Sequence, residues 1–313
     1  MTCATLRTTS VVVKRALCYA SPSMPPSFRA VAVDAATRAG ALLSSQLGGR
    51  REISHKSSPI NLVTDMDRRA ESLIVDAITA SFPTHAILAE EGGVVLAGER
   101  VVLAEERVVL AEERGVLAEE RGARGATTHR WIVDPLDGTT NYAHGLPIFC
   151  VSIALEIDGR LALGVVYDPN RDECFVAERG QGATVNGDRL QVSTAAALGE
   201  SLLSTGYQYD IRHATRNNLP EHAAVLLRAH SVREIGSAVL NLAYVAAGRL
   251  DGFWELSLGA WDVAAGALLV EEAGGRVTDP RGGALDLDAP SILATNGIIH
   301  DEVLRVLEEV RDR

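Results

Sequence analysis

Residues 131–142, WIVDPLDGTTNY, join an apolar run to a turn that carries two carboxylates, Asp134 and Asp137. The apolar residues predict a buried strand, and Gly138 with the two threonines after it predicts a tight turn. Carboxylates three residues apart can face one point together with the carbonyl between them, which suits a hard cation with oxygen ligands. Taken alone, the Asp-Gly pair is equally typical of an ordinary turn.

Three other acidic segments accompany this stretch. Thr64 and Asp67 have the spacing of a helix capping box, and Asp262 stands at the start of an alanine-rich helix, where it could be a plain N-cap. Glu90 and Glu91 form the fourth acidic site. Each segment has a structural explanation in isolation. Together, four acidic sites at the ends of separate elements predict a site that binds several metal ions and a phosphate group.

Composition limits the partners of such a site. The 313 residues carry a formal net charge of −11, which argues against a nucleic-acid-binding protein because such proteins need a basic face. We expect no membrane segment, since no apolar run approaches the roughly 20 residues that span a bilayer. The four cysteines include no Cys-x-x-Cys pair and are expected to be reduced thiols in a cytoplasmic protein.

The N-terminal segment differs from the rest of the chain. Residues 1–23 contain no acidic residue and several Ser, Thr, Arg and Lys residues, which is the composition of an organellar transit peptide. A disordered tail, or a start codon upstream of the real one at Met24, explains the same composition more simply. We therefore place residues 1–25 outside the fold.

From residue 26 onward, helical and strand patterns alternate. Helices are predicted at residues 28–47, 64–80, 220–229, 238–247, 261–273 and 301–310, and strands at residues 86–88, 131–133, 149–157, 161–167, 174–177, 202–204, 231–235, 252–255 and 292–294. A strand meander followed by strict alternation of strand and helix predicts an α+β fold. Its two layered halves are residues 26–195, with most of the acidic sites, and residues 196–313.

A repeat interrupts the first half. Leu-Ala-Glu-Glu occurs four times, beginning at Leu88, Leu103, Leu110 and Leu117. On a helix, the unit VVLAEER would spread its apolar residues around the whole circumference, so no apolar stripe forms. On a strand, a unit of odd length would place the same residue on opposite faces in successive copies. Because the individual residues favour helix, we expect a mobile, partly helical surface insertion over residues 92–130. A tolerated expansion of the repeat is a simpler explanation than a coiled-coil partner site.

The motifs WIVDPLDGTTNY, LVTDMD, AEEGG, GSAVLN and WDVAAGALLVEEAGG together resemble the inositol monophosphatase family of magnesium-dependent, lithium-sensitive sugar phosphatases. The resemblance extends over roughly residues 30–307, apart from the repeat. It implies an αβαβα layered sandwich of the sugar phosphatase type, usually a homodimer. Two departures are Gly92, where serine is common in the family, and Ala89, where glycine is frequent.

The resemblance also implies a ligand set for two to three Mg²⁺ ions. Glu90, Asp134 and the carbonyl of Leu136 would hold the first ion. Asp134, Asp137 and Asp262 would hold the second, and a third, weaker ion would use Glu90 through water molecules. The ions would polarise the phosphate and lower the pKa of a bound water.

Further roles follow from the same resemblance. Thr139 and Glu91 would orient the attacking water, and Asp67 would tune Thr139. The amides of Gly138 and Thr139, at a helix start, would hold the phosphate oxygens. 

The repeat leaves the identity of the glutamate pair open. Counted from Asp67, the pair of the family falls on Glu90-Glu91, directly after the strand at residues 86–88. Glu113 or Glu120 would leave a connection to Asp134 of more typical length, so a duplicated copy is a rival for the metal site.

The resemblance implies a substrate as well. Glu255 matches the position that contacts ring hydroxyls in inositol phosphatases, and Gly236, Ser237 and Ala238 match the segment that lines that pocket, where Asp262 also lies. The expected reaction is hydrolysis of myo-inositol 1-phosphate to inositol and phosphate by a metal-activated water. Histidinol phosphate or fructose 1,6-bisphosphate are alternative substrates. A binding module without catalysis is an alternative of another class.

Overall fold

The computed structural model describes residues 27–49, 53–55, 62–96, 99–101 and 128–311. The predicted tail, residues 1–25, and residues 102–127 of the repeat lie outside these ranges. The interpretations of the tail as a transit peptide or a mis-assigned start therefore stay predictions.

The helices of the described residues are α1 (Phe28–Gln46), α2 (Asp65–Ser81), α3 (Thr139–Ala143), α4 (Leu219–Leu226), α5 (Ala238–Ala246), α6 (Ala260–Glu272) and α7 (His300–Arg311). The strands are β1 (Ile53–His55), β2 (Leu62–Thr64), β3 (Ala86–Ala89), β4 (Gly93–Leu96), β5 (Glu99–Val101), β6 (His129–Asp137), β7 (Cys150–Ile157), β8 (Arg160–Asp168), β9 (Glu173–Glu178), β10 (Gly182–Val185), β11 (Asp188–Arg189), β12 (Leu202–Thr205), β13 (Ser231–Arg233), β14 (Gly252–Glu255), β15 (Arg276–Thr278) and β16 (Ile292–Thr295).

These elements stack in five layers. Helices α1 and α2 cover one face of a nine-stranded sheet of order β11-β10-β9-β8-β7-β6-β3-β4-β5. Helices α5 and α6 lie between this sheet and a five-stranded sheet of order β13-β12-β14-β16-β15. Helices α4 and α7 pack on the outer side of the five-stranded sheet. The predicted αβαβα sandwich is confirmed.

Small residues let the layers approach closely. A side chain at Gly40 of α1 would meet the ring of Tyr167 at 2.5 Å, and one at Gly164 of β8 would meet the Ala265 carbonyl of α6 at 2.8 Å. Both helices therefore lie directly on β8. Burial of the apolar residues along these contacts supplies the main favourable free energy of the fold.

Strand β6 determines where the acidic residues meet. It pairs in parallel with β3, with Ala89 opposite Val133, and antiparallel with β7. Because parallel strands end at the same edge of a sheet, the residues after β3 lie beside the end of β6. This pairing brings Glu90 next to Asp134.

The beginning of the repeat is a hairpin. Strand β4 pairs antiparallel with β3, with Ala89 opposite Gly93, and β5 pairs with β4, with Leu96 opposite Glu99. The predicted helical character is wrong for residues 93–96 and 99–101. The reason is that β3 would be the edge of the sheet without β4, with backbone groups available for pairing, and the valine pairs of the repeat favour strand over helix.

The helices and strands predicted by range are present with shifted boundaries; helix α4, for example, ends at Leu226, three residues before the predicted end. Strands β1, β2, β10, β11 and β15 have no counterpart among the predicted ranges. Among the residues that the structure describes, no helix combines the length and the apolar character needed to cross a membrane.

A buried histidine joins the outer helix to the five-stranded sheet. The two ring nitrogens of His300 each lie 2.9 Å from a threonine hydroxyl, Nε2 from Thr278 and Nδ1 from Thr295. Burial, followed by the charge of Arg276, lowers the pKa of His300 to about 4. The ring is therefore neutral in the folded protein at neutral pH.

We predict that His300 makes the free energy of unfolding depend on pH. Its pKa is lower in the folded chain than the ordinary value of about 6.5, so stability is complete above that value and is lost as pH falls from about 6.5 toward 4. Urea unfolding at pH 7.5 and 4.5 should show an acid-dependent loss that is smaller in His300→Gln than in wild type, by on the order of 2 kcal/mol. Equal losses in the two proteins would contradict this role.

Candidate active site

The end of β6 departs from regular strand geometry. Its pairing with β7 shifts register between Asp134 and Asp137, where Pro135 has no backbone N–H to donate to the ladder. The amide of Leu136 donates to Asp134 Oδ1 at 3.0 Å. Gly138 follows with a φ of 94°, and a side chain there would lie 2.8 Å from the Ile148 carbonyl. The turn therefore requires glycine, and it presents both aspartates at one edge of the sheet.

Asp262 joins these two carboxylates from the other half of the chain. Oxygens of Asp134, Asp137 and Asp262 all lie within 4.8 Å of one another. Asp262 is in the first turn of α6, and its Oδ2 accepts a hydrogen bond from the Gly259 amide at 2.6 Å. The interpretation of Asp262 as the N-cap is wrong, because Gly259 is the N-cap and Asp262 is the third residue of α6. Its bond to the Gly259 amide is compatible with its predicted place in a metal site.

Helix α5 fixes Asp137. Asp137 Oδ2 accepts hydrogen bonds from the Ser237 hydroxyl and from the Val239 amide, the latter at 2.9 Å, and Cys150 Sγ lies 3.7 Å away. The Ser237 hydroxyl also caps α5 by accepting from the Leu240 amide. The sequence predicted that Ser237 lines a substrate pocket. In the structure its hydroxyl donates a hydrogen bond to Asp137, a predicted metal ligand.

Helix α2 contributes Asp67. Its Oδ2 accepts from the Thr64 amide at 2.8 Å, which completes the predicted capping box. Its Oδ1 accepts from the Thr139 hydroxyl at 3.0 Å, and the same hydroxyl lies 3.0 Å from the Leu136 carbonyl. The cap and the contact to Thr139 are thus made by the two oxygens of one buried carboxylate.

Glu90 and Glu91 lie in the hairpin connection between β3 and β4, together with Gly92. The Glu90 amide donates to the Val133 carbonyl of β6 at 3.2 Å. On the other side, the amides of Glu91 and Gly92 donate to Glu71 Oε2 at 2.7 and 3.1 Å. Glu90 lies outside the group of three carboxylates, but it is close enough for its charge to act on them.

The electrostatics of the cluster show this proximity. Burial, and then the charges of Glu90, Asp137 and Asp262, hold the pKa of Asp134 well above its ordinary value. Burial also raises the pKa of Asp137 to about 6, against the hydrogen bonds from Ser237 and Val239 that lower it. Without a cation, the cluster therefore favours bound protons over full ionisation.

The donor set fits a divalent cation. Buried carboxylates that repel one another become stable as anions when a positive charge lies between them. Oxygen ligands without nitrogen or sulfur select hard ions such as Mg²⁺. The group of Asp134, Asp137 and Asp262 could therefore hold Mg²⁺, with Glu90 as a further oxygen donor beside it.

The residues predicted to bind substrate lie around this cluster. Burial, followed by the charges of Asp262 and Asp137, raises the pKa of Glu255 well above its usual range. A side chain at Gly206 would lie 2.2 Å from Glu255 Oε2, so the glycine leaves the room that this carboxylate occupies. Gly236 lies against the side chain of Asn141 in the DGTTN turn, and Ala238 is the first residue of α5.

Sequence reasoning missed Glu71 and the role of Cys150 beside Asp137. Glu71 lies one helical turn after Asp67 on α2, and its side chain is only 1% exposed. The i,i+4 spacing of the two acids is visible in the sequence. Nothing in the sequence shows that the second one is buried.

Comparisons with known proteins agree with this geometry. The profile of the Inositol monophosphatase family matches residues 25–312. An inositol-1-monophosphatase of Synechocystis sp. is 41% identical over 92% of this chain and 91% of the relative. A Nus factor SuhB of Pseudomonas aeruginosa is 41% identical over 85% of this chain and 90% of the relative. The solved inositol monophosphatase of Anabaena (Nostoc) sp. is 40% identical, covers 90% of this chain and 94% of its own, and has a TM-score of 0.74.

The family profile spans nearly the whole chain, and the relatives are matched over almost their full lengths at about 40% identity. The fold brings Asp134, Asp137 and Asp262 from β6 and α6 to one place within the matched residues. The chain belongs to the inositol monophosphatase family.

Proposed function

We propose that the protein hydrolyses myo-inositol 1-phosphate to inositol and phosphate with two to three Mg²⁺ ions, and that Li⁺ inhibits it. The observation that carries the proposal is the convergence of three carboxylates from β6 and α6 beside the buried Asp67–Thr139 hydrogen bond. Relatives named inositol-1-monophosphatase support the choice of substrate.

Asp134, Asp137, Asp262, Glu90 and the Leu136 carbonyl would hold the ions. Bound Mg²⁺ supplies positive charge against the phosphate oxygens and favours the deprotonation of water. This charge matters because the protein has a formal net charge of −11 and its site is itself acidic. 

Thr139 is arranged to act on the attacking water. Its hydroxyl proton points to Asp67 or to the Leu136 carbonyl, so its lone pairs are left to accept a hydrogen bond from water. Glu91, on the adjacent hairpin, would take the second contact to that water. The two residues would hold the water oxygen in line with the bond that breaks.

The attacking water and the inositol oxygen that leaves would lie on opposite sides of the reacting phosphorus. The amides of Gly138 and Thr139, at the start of α3, would donate to phosphate oxygens. Attack of water forms the new P–O bond and the bond to the inositol oxygen breaks. The attacking water gives up one proton and the inositol oxygen takes one up, so that the products are inositol and phosphate. Glu255, with Gly236 and Ala238 nearby, would bind hydroxyl groups of the inositol ring.

Relatives named Nus factor SuhB are as similar as those named inositol-1-monophosphatase. A role in binding alone would not require a buried cluster of mutually repelling carboxylates, because such a cluster costs stability in the absence of a cation. The cluster therefore supports catalysis over a binding module without catalysis.

A substrate panel tests the proposed function. Purified protein should release phosphate from myo-inositol 1-phosphate in the presence of Mg²⁺ with a higher kcat/KM than from histidinol phosphate or fructose 1,6-bisphosphate. Glu255→Gln should reduce this selectivity, since an amide replaces a carboxylate that accepts hydroxyl hydrogen bonds. Equal rates on all three substrates, or none on any, would contradict the proposal.

A second prediction concerns Asp134. Asp134→Asn should lower kcat by more than tenfold, a barrier increase above about 1.4 kcal/mol, because it removes a shared negative ligand without changing volume. The asparagine oxygen can still accept from the Leu136 amide, and a repulsive charge is lost, so stability without Mg²⁺ should not fall. Steady-state kinetics and thermal melts measure the two effects, with the exposed Asp188→Asn as the control. A kcat within tenfold of wild type would count against the role.

The third prediction identifies the functional glutamate pair. Glu90→Gln in the full chain should abolish Mg²⁺-dependent activity, whereas Glu113→Gln and Glu120→Gln should retain it, because β3 carries Glu90 to the end of β6. Removing residues 108–121, two whole copies of the repeat, should also leave activity close to wild type, since β4 ends at Leu96 and β5 at Val101, before the deletion. The reverse pattern, with Glu90→Gln active and a later glutamate essential, would show that a copy has replaced Glu90.

A further inference from the structure

We propose that Glu71 is a positioning residue for the metal site, acting through the hairpin connection that carries Glu90 and Glu91. The inference rests on the proposed function, because it concerns the ions of that site. Glu71 does not itself reach the three-carboxylate group. Its effect would pass through the backbone of the hairpin.

The contacts join Glu71 to the backbone that follows Glu90. A single oxygen, Glu71 Oε2, accepts from two successive amides, those of Glu91 at 2.7 Å and Gly92 at 3.1 Å. Both distances are within the normal range for hydrogen bonds to a carboxylate oxygen. The two amides follow Glu90 directly, so they fix the orientation of the backbone that leaves it.

Glu90 is therefore held from both sides. The amide of Glu90 itself donates to the Val133 carbonyl of β6. The next two amides donate to Glu71 on α2. Three-residue connections have several accessible conformations, and two fixed amides remove most of them. The direction in which Glu90 projects would depend on both attachments.

Helix α2 then has two positioning functions one turn apart. Asp67 directs the hydroxyl of Thr139, and Glu71 directs the hairpin of Glu90 and Glu91. Residues four apart lie on the same face of a helix, so both acids face the site. Thr139 and Glu91, the residues that would orient the water, are therefore both held by hydrogen bonds to α2.

The expected effect is on metal affinity and turnover. Loss of a group that orients a metal ligand typically weakens binding by about 10- to 100-fold. Glu71→Met removes the acceptor oxygens and keeps the length of the side chain. We expect it to weaken Mn²⁺ binding to the metal-free protein at least tenfold and to lower kcat, with KM for inositol 1-phosphate changed less than threefold.

Conservative and control variants separate positioning from general stability. Glu71→Gln retains one side-chain oxygen that can accept from both amides, and it should restore Mn²⁺ affinity to within about threefold of wild type. Asp76→Asn removes an exposed acid from the same helix and should change nothing. Calorimetric titration and Mn²⁺ electron paramagnetic resonance measure affinity without substrate or turnover.

Weak Mn²⁺ binding by Glu71→Met, with affinity recovered in Glu71→Gln, supports the proposal. Wild-type affinity in a folded Met variant, or equal weakness of the Met and Gln variants, overturns it. If wild type itself binds no Mn²⁺, the proposed function fails first. If wild type binds Mn²⁺ and Glu71→Met binds it equally well, only the role of Glu71 fails.

Hydrogen exchange covers the case in which Glu71→Met does not fold. In metal-free wild type, the amides of Glu91 and Gly92 should exchange as slowly as those of β3, because both are bonded to a buried acceptor. Exchange of these two amides at the rate of an unstructured chain would overturn the proposal.

Discussion

Three carboxylates that repel one another are held within 4.8 Å, and the rest of the site depends on this arrangement. Burial, and after it the charges of neighbouring carboxylates, raise the pKa values of Asp134 and Asp137. A fold can tolerate such a cluster when other interactions exceed its cost, and a bound cation would remove that cost. The acidic site of an acidic protein can therefore bind an anionic phosphate once positive charge is present.

The cluster is assembled from β6 and α6, and hydrogen bonds from the surrounding elements orient its carboxylates. Helix α5 holds Asp137 through Ser237 and the Val239 amide. Asp262 is fixed at the first turn of α6 by the Gly259 amide. On the opposite side, α2 contacts the turn after β6 through Asp67. Small shifts in the packing of the layers would therefore change the distances among the carboxylates.

Local patterns predicted two layered halves and the acidic motifs, and the family resemblance implied the αβαβα order of the layers. Thr64 and Asp67 were recognisable as a cap, and the contact of Asp67 with Thr139 followed from the family resemblance. Glu71 was not recognisable, because its burial depends on a hairpin formed by residues distant in sequence. The repeat was misjudged for residues 93–96 and 99–101, since pairing of β4 with β3 and of β5 with β4 outweighs local helix propensity. The domain boundary near residue 195 and the roles of the site residues stay predictions.

The central claim is that the carboxylates at the ends of β6 and α6 form a metal centre with Glu90. Anomalous scattering from crystals of the full chain soaked in Mn²⁺ tests it directly, because each ion is located independently of activity. The account predicts one anomalous peak from an ion coordinated by Asp134, Asp137 and Asp262. It predicts a neighbouring peak from an ion coordinated by Asp134 and Glu90. An empty cluster, or a peak bonded to Glu113 or Glu120 in place of Glu90, would contradict it.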